Sequence, residues 1–214
     1  KIGLFVFDEH VDIYGLEDNY NIVNKANVFG KLLLEGYADY IVFLGTSKLA
    51  KSIFLDSVSE NFTKTHIFKN VEIYSDSDLK DEKWEKVISK SIFTMKEKGI
   101  TNVMVSIDVD VLPIQYTAFE YSILAPAISA IRFGEKQTGA SLAEVPEGFS
   151  DGLDWRELNG YIRYIKTQTY LNSINFGINK NGVKIIGDVQ EFLPEQDLHN
   201  ETAKAVVKII NPLS

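Results

Sequence analysis

Cysteine is absent from this 214-residue chain. No disulfide framework and no thiolate metal site can form, so any metal must be held by His, Asp or Glu. Histidine is itself scarce, being confined to His10, His66 and His199. Positive charge is in deficit: 22 Lys and Arg face 30 Asp and Glu, a net charge of −8. Phosphate binding relies on clustered Lys and Arg, so this balance argues against a nucleic-acid partner. No apolar run approaches the roughly 18–20 residues that span a bilayer, and no charged-then-apolar leader opens the chain. The expectation is a soluble, cytoplasmic protein with neither nucleic acid nor membrane as a partner. Methionine is missing from position 1, where Lys1 stands, and Ile2–Phe7 already reads as an interior strand. Such strands need cover on both faces, and we expect further sequence of the same domain upstream.

What is present, 45% hydrophobic and 24% charged residues, suits an ordinary globular protein, and we expect residues 1–214 to lie in a single domain. After the first strand, Asn21–Gly36 is predicted as a helix with Val28, Leu32 and Leu33 (or Leu34) inward and Gly36 as its stop. Tyr40–Leu44 reads as a strand closed by Gly45, and Ser47 can cap a helix reaching to about Val58. A short strand at Val71–Tyr74 precedes an acidic turn, Ser75–Asp81. Glu82–Lys98 is an amphipathic helix with Trp84, Val87, Ile88, Ser91 and Met95 on one face, ended by Gly99. The strand Asn102–Ile107 follows. This alternation predicts a three-layer α/β/α fold with a mainly parallel sheet. Residues 111–152, with Pro113, Pro126 and Pro146, break the rhythm and read as a long loop region holding one short helix, Ile123–Phe133. A helix at Asp154–Tyr170 turns Trp155, Leu158, Ile162 and Ile165 inward; Val183–Gly187 is the last strand and Glu201–Ile210 the last helix.

Two strand ends carry the chemistry. Asp8, His10 and Asp12 alternate, which places three ligands for a hard cation on one side of an extended backbone. Taken alone, the trio also suits a helix cap or a turn, with His10 an ordinary loop residue. Asp108 and Asp110 repeat the pattern after Asn102–Ile107. Carboxylates gathered at the same end of two parallel strands repel one another unless cations lie between them. We therefore read Asp8, His10, Asp12, Asp108 and Asp110 as ligands of a metal pair.

The order of residues also resembles a known family. Asp8-Glu9-His10-Val11-Asp12 is similar to the D-A-H-x-D motif of the ureohydrolases (arginase, agmatinase and formimidoylglutamase), and Ser106-Ile107-Asp108-Val109-Asp110 to their S-x-D-x-D motif. Asn24–Phe29 resembles their loop and helix start, Gly152–Glu157 their G-G-L-x-x-R-E segment, and Gly187–Pro194 their G-x-D-x-x-E-x-x-P strand end. The resemblance implies an arginase-like domain, lacking its N-terminal part, that holds two Mn²⁺ per subunit. By position, Asp8 and Asp108 would bridge the metals, His10 and Asp110 would complete one, and Asp12 would bind the other. A metal-bridging hydroxide would then attack the carbon of a small guanidino or formimino substrate and cleave its C–N bond. Asp12 would hold that hydroxide and pass a proton to the leaving amine, and Glu191 would pair with the substrate's guanidinium. Family members commonly form trimers or hexamers, so a homo-oligomer is implied. Tyr14 is reminiscent of a D-x-Y pattern found in some agmatinases.

Several positions depart from the family pattern. Its further His ligand, in a G-G-x-H segment upstream of D-A-H-x-D, has no counterpart here; Lys25 stands near the loop His, and Glu9 replaces a small residue. Two other functions remain open on the sequence. One is a non-catalytic ureohydrolase-like protein with an incomplete metal site. The other is a haloacid dehalogenase-type, Mg-dependent phosphatase with Asp108 as nucleophile and Asp110 as acid/base, Lys166 and Gly187-Asp188 falling at plausible later spacings. It leaves Asp8, His10 and Asp12 without a role.

Overall fold

The unbroken apolar run Ile2–Phe7 forms strand β1, and its neighbours on the two sides are the largely apolar strands Tyr40–Thr46 (β2) and Asn102–Asp108 (β4). The computed structural model describes residues 1–13, 23, 27–60, 68–112, 152–167, 177–178, 184–185 and 187–190. In chain order its helices are α1 (Val28–Leu34), α2 (Lys48–Glu60), α3 (Asp76–Asp81), α4 (Trp84–Glu97) and α5 (Trp155–Thr167). The remaining strands are β3 (Val71–Ser75), a short antiparallel pair β5 (Gly177–Ile178) and β6 (Lys184–Ile185), and β7 (Gly187–Gln190). The main sheet has five strands in the order β3-β2-β1-β4-β7, every neighbouring pair parallel. Parallel strands need cover on both faces, and they have it. Leu4 and Val6 of β1 and Ile41 and Phe43 of β2 pack with Phe29 of α1 and with Ala50 and Phe54 of α2. On the opposite face Phe5, Phe7, Val42, Leu44, Val105 and Ile107 pack with Val87, Ile88, Ile92 and Met95 of α4 and Leu158, Tyr161, Ile162 and Ile165 of α5. The predicted three-layer architecture is the observed one.

Several local expectations are corrected. Helix α1 starts only at Val28; Val23 is exposed and non-helical, and residues 24–26 lie outside the described set. Gly45 does not close β2. It is a one-residue bulge inside it, at φ +86°, with the register to β3 shifting between Leu44 and Thr46. The acidic stretch after β3 is a helix, not a turn. Ser75 and Asp78 form a reciprocal capping box, each side chain accepting from the other's backbone N–H. The last strand is displaced: Lys184–Ile185 pairs with β5, and Gly187–Gln190 joins the main sheet. The predicted helices Ile123–Phe133 and Glu201–Ile210 lie outside the described residues. Among those described, no helix is long and apolar enough to cross a membrane.

Candidate metal centre

The strand order dictates where a site can form. From β1 the chain runs outward through β2 to β3, then returns to place β4 on β1's other side. The crevice at the carboxyl ends of β1 and β4 is thus the point where the direction of winding switches, the usual ligand position in open α/β sheets. Asp8 follows β1 directly, Asp108 is the last residue of β4, and Asp110 sits in the single 3-10 turn Val109–Val111 that continues it.

Backbone contacts lock these segments together. Asp8 N–H donates to Leu44 O at 3.3 Å, and Ser47 N–H donates to Glu9 O at 2.8 Å, which fastens the end of β1 to the end of β2. Glu9 N–H donates to Asp110 Oδ1 at 3.1 Å, which fastens it to β4. His10 N–H donates to Asp8 Oδ1 at 2.6 Å, and Asp110 N–H to Asp108 Oδ1 at 3.2 Å. Beyond His10, the carbonyl of Asp12 accepts from Phe29 N–H at 3.1 Å and Gly30 N–H at 3.4 Å. The N-cap residue Asn27 makes no side-chain cap bond to α1, and the Asp12 carbonyl takes these two first-turn donors instead.

The side chains converge. His10 Nδ1 lies 2.6 Å from Asp110 Oδ2 and 3.7 Å from Asp8 Oδ1. One donor atom from each of Asp8, His10 and Asp110 falls within 4.8 Å of the others, a spacing that can hold a cation. Asp8 is 1% exposed, and its Oδ2 has no hydrogen-bond partner among the described residues. Burial, and then repulsion from Asp110, Asp12 and Asp108, hold its carboxyl well above the usual carboxylate range, against the lowering effect of the His10 N–H. An isolated buried carboxylate is costly, and a divalent cation among these acids would offset both its burial and their mutual repulsion. Oxygen and imidazole donors suit Mn²⁺, Fe²⁺ or Zn²⁺, so the residues present fit a metal. Of the five ligands expected from the sequence, the structure gathers Asp8, His10 and Asp110 into one donor set. Asp12 and Asp108 stand outside that set, close enough to repel Asp8.

Glu191, Lys25, Tyr14, His66 and His199 lie outside the described residues. The register pairs Gln190 of β7, the residue before Glu191 in the chain, with Asp108. Sequence reasoning missed two contributors. A Cβ on Gly45 would come within 2.6 Å of Val111 Cγ2 and 2.8 Å of Leu153 Cδ1, so only glycine lets the turn carrying Asp110 close onto β2. Thr46, the next residue, is fully buried, and its hydroxyl has no hydrogen-bond partner among the described residues. The one available signal was a glycine directly after an apolar strand, which reads as a stop.

The sequence model of the arginase family matches residues 1–118, that is 118 of 214 residues, and spans both aspartate motifs. The chain belongs to the arginase family. Among solved structures, this arginase-family chain is similar to formimidoylglutamase from Bacillus subtilis subsp. subtilis str. 168, at 17% identity and TM-score 0.61 over 99% of this chain and 52% of that one. It is likewise similar to arginase from Bacillus caldovelox (16%, TM-score 0.57, 100% and 60%) and to agmatine ureohydrolase of Thermoplasma volcanium (18%, TM-score 0.55, 99% and 53%). At these identities the likeness is one of fold. The chain spans about half to 60% of the length of these structures. No curated protein matches it by sequence.

Proposed function

We propose that this chain serves a binuclear manganese hydrolase that cleaves a C–N bond of a small guanidino or formimino compound, in the cytoplasm and as a homo-oligomer, trimeric or hexameric as is common in the family. The observation that carries the reading is the Asp8–His10–Asp110 donor set at the switch point of the sheet, its two aspartates buried and its histidine half-buried, with one Asp8 oxygen lacking a hydrogen-bond partner among the described residues. Asp8 and Asp108 would be shared by the two cations, His10 and Asp110 would complete the site of one, and Asp12 would bind the other. Bound there, divalent metal supplies a water-derived nucleophile at neutral pH and stabilises charge developing on the substrate. Asp12, whose backbone is clamped to α1, would orient that nucleophile and pass a proton to the nitrogen of the leaving amine. Glu191, one residue beyond β7, would pair with the substrate's guanidinium and align its carbon with the ligand set.

The test uses the complete natural polypeptide with Mn²⁺ and follows urea or ammonia release from arginine, agmatine, guanidinobutyrate and formiminoglutamate. Turnover of one of them is expected, with two Mn per chain by metal analysis. Asp8→Asn is expected to reduce turnover by at least about 100-fold and to weaken metal binding. Near-normal turnover in that variant would refute the site assignment, and a fold-competent protein that binds no Mn²⁺ would refute the hydrolase reading.

A further inference from the structure

Two buried side-chain oxygens at the carboxyl rim of the sheet share one property. Asp8 Oδ2 and Thr46 Oγ1 are both sealed from solvent with no hydrogen-bond partner among the described residues. Their strands are neighbours, and the Asp8 N–H to Leu44 O and Ser47 N–H to Glu9 O bonds bracket the Asp8-Glu9 and Gly45-Thr46 peptides between them.

The bulge decides which way Thr46 faces. Along β2, Tyr40, Val42 and Leu44 pack into the layer of α4 and α5, while Ile41 and Phe43 face α1 and α2. Strict alternation would send residue 46 after Leu44 into the apolar α4–α5 layer. Gly45 adds one residue to β2 relative to β3, and its own Cβ direction points at Val111 and Leu153 on the α4–α5 side. Thr46 is thereby moved to the face of Ile41 and Phe43. On β1 that face belongs to Leu4 and Val6, and Asp8 is next in step. With Phe7 paired to Leu44 in the register, the bulge thus puts Thr46 on the face of the sheet that Asp8 follows, on the neighbouring strand. Bulges commonly re-aim a side chain beside a functional site.

A fully buried threonine without a partner is costly, and valine has the same shape without that cost. The hydroxyl therefore has work in the loaded site. We propose that Thr46 is a positioning residue of the metal centre, its hydroxyl holding Asp8 Oδ2 through a shared water and so fixing how the carboxylate meets a cation. This rests on the metal-hydrolase reading above. Outer hydrogen bonds of this kind typically change metal affinity by about 10–100-fold.

The experiment is Mn²⁺ titration of the complete, chelator-stripped protein against a fluorescent indicator, with thermal melts in EDTA. Wild type, Thr46→Val, Thr46→Ser and Asp8→Asn are compared. Thr46→Val is expected to melt no lower than wild type in EDTA and to bind Mn²⁺ at least about tenfold more weakly, with Thr46→Ser restoring affinity. Wild-type affinity in Thr46→Val, or equal weakening in Thr46→Ser, overturns the inference. A Thr46→Val chain that unfolds or melts lower in EDTA assigns the hydroxyl to folding and overturns it too. If Asp8→Asn abolishes binding while Thr46→Val does not change it, only the role of Thr46 fails. If wild type binds no Mn²⁺ through Asp8, the hydrolase reading itself falls, and this inference with it.

Discussion

Asp8 carries an electrostatic burden within the fold. Its carboxyl is buried among Asp12, Asp108 and Asp110, each of which raises the cost of ionising it. Asparagine would remove that repulsion with little change in shape. In EDTA, Asp8→Asn is therefore expected to melt higher than wild type, by about 2–4 °C for each kcal/mol of repulsion relieved in a chain of this size. Circular dichroism melts check it, and a lower melting temperature would mean that the carboxylate is structurally required. Gly45 is the opposite case. Gly45→Ala adds a methyl group against Val111 and Leu153 at a positive φ, and the combined overpacking and left-handed strain should cost roughly 2–4 kcal/mol in urea unfolding. The repulsion is legible from the two aspartate motifs read at the same end of parallel strands, whereas the close approach at Gly45 is not. The motif residues were legible as ligand types; the close approach depends on which strands become neighbours.

Among the elements, α3 illustrates what a composition-based reading hides. Ser75–Asp81 is so polar that it reads as a turn, yet Ser75-x-x-Asp78 is a capping box, and Lys51 reaches from α2 to Asp78 Oδ2 at 2.7 Å. Partial burial tends to raise the Asp78 carboxyl, but the Lys51 ammonium and the Ser75 hydroxyl and N–H outweigh it and leave the group below its ordinary value. A lowered pKa contributes stability above the unfolded value of about 3.9, and that contribution fades as pH falls through the lower folded value. Asp78→Asn should therefore be less stable than wild type at pH 6, with the gap narrowing as pH falls below the unfolded value in denaturant titrations. Ser75→Ala should cost about 1 kcal/mol by loss of the cap. The longer elements were easier. Ile2–Phe7 and Asn102–Ile107 announced themselves as apolar runs, and the face of α4 by its spacing. Tyr161 was missed on α5 because a phenol breaks the apolar pattern, although its ring stacks on Phe7 and packs against Trp84.

At the scale of the whole molecule, the layer architecture was legible because alternating apolar strands and amphipathic helices admit few arrangements. The strand order was not. That β4 lies beside β1 is a long-range fact, and the site exists only because of it. A cation bridging these two strands should stabilise the molecule as a unit. At 100 times its dissociation constant, Mn²⁺ would add about 2.7 kcal/mol, or roughly 5–10 °C of melting temperature, and Asp8→Asn should abolish the increment. The carbonyl of Asp12 adds a further consequence, since it receives the first-turn amides of α1. A cation that steadies Asp12 also steadies those amides, which makes α1 a built-in reporter of site occupancy. Hydrogen exchange at Phe29 and Gly30 should slow when Mn²⁺ is added, while amides of the distant edge strand β3 should follow only the global stability.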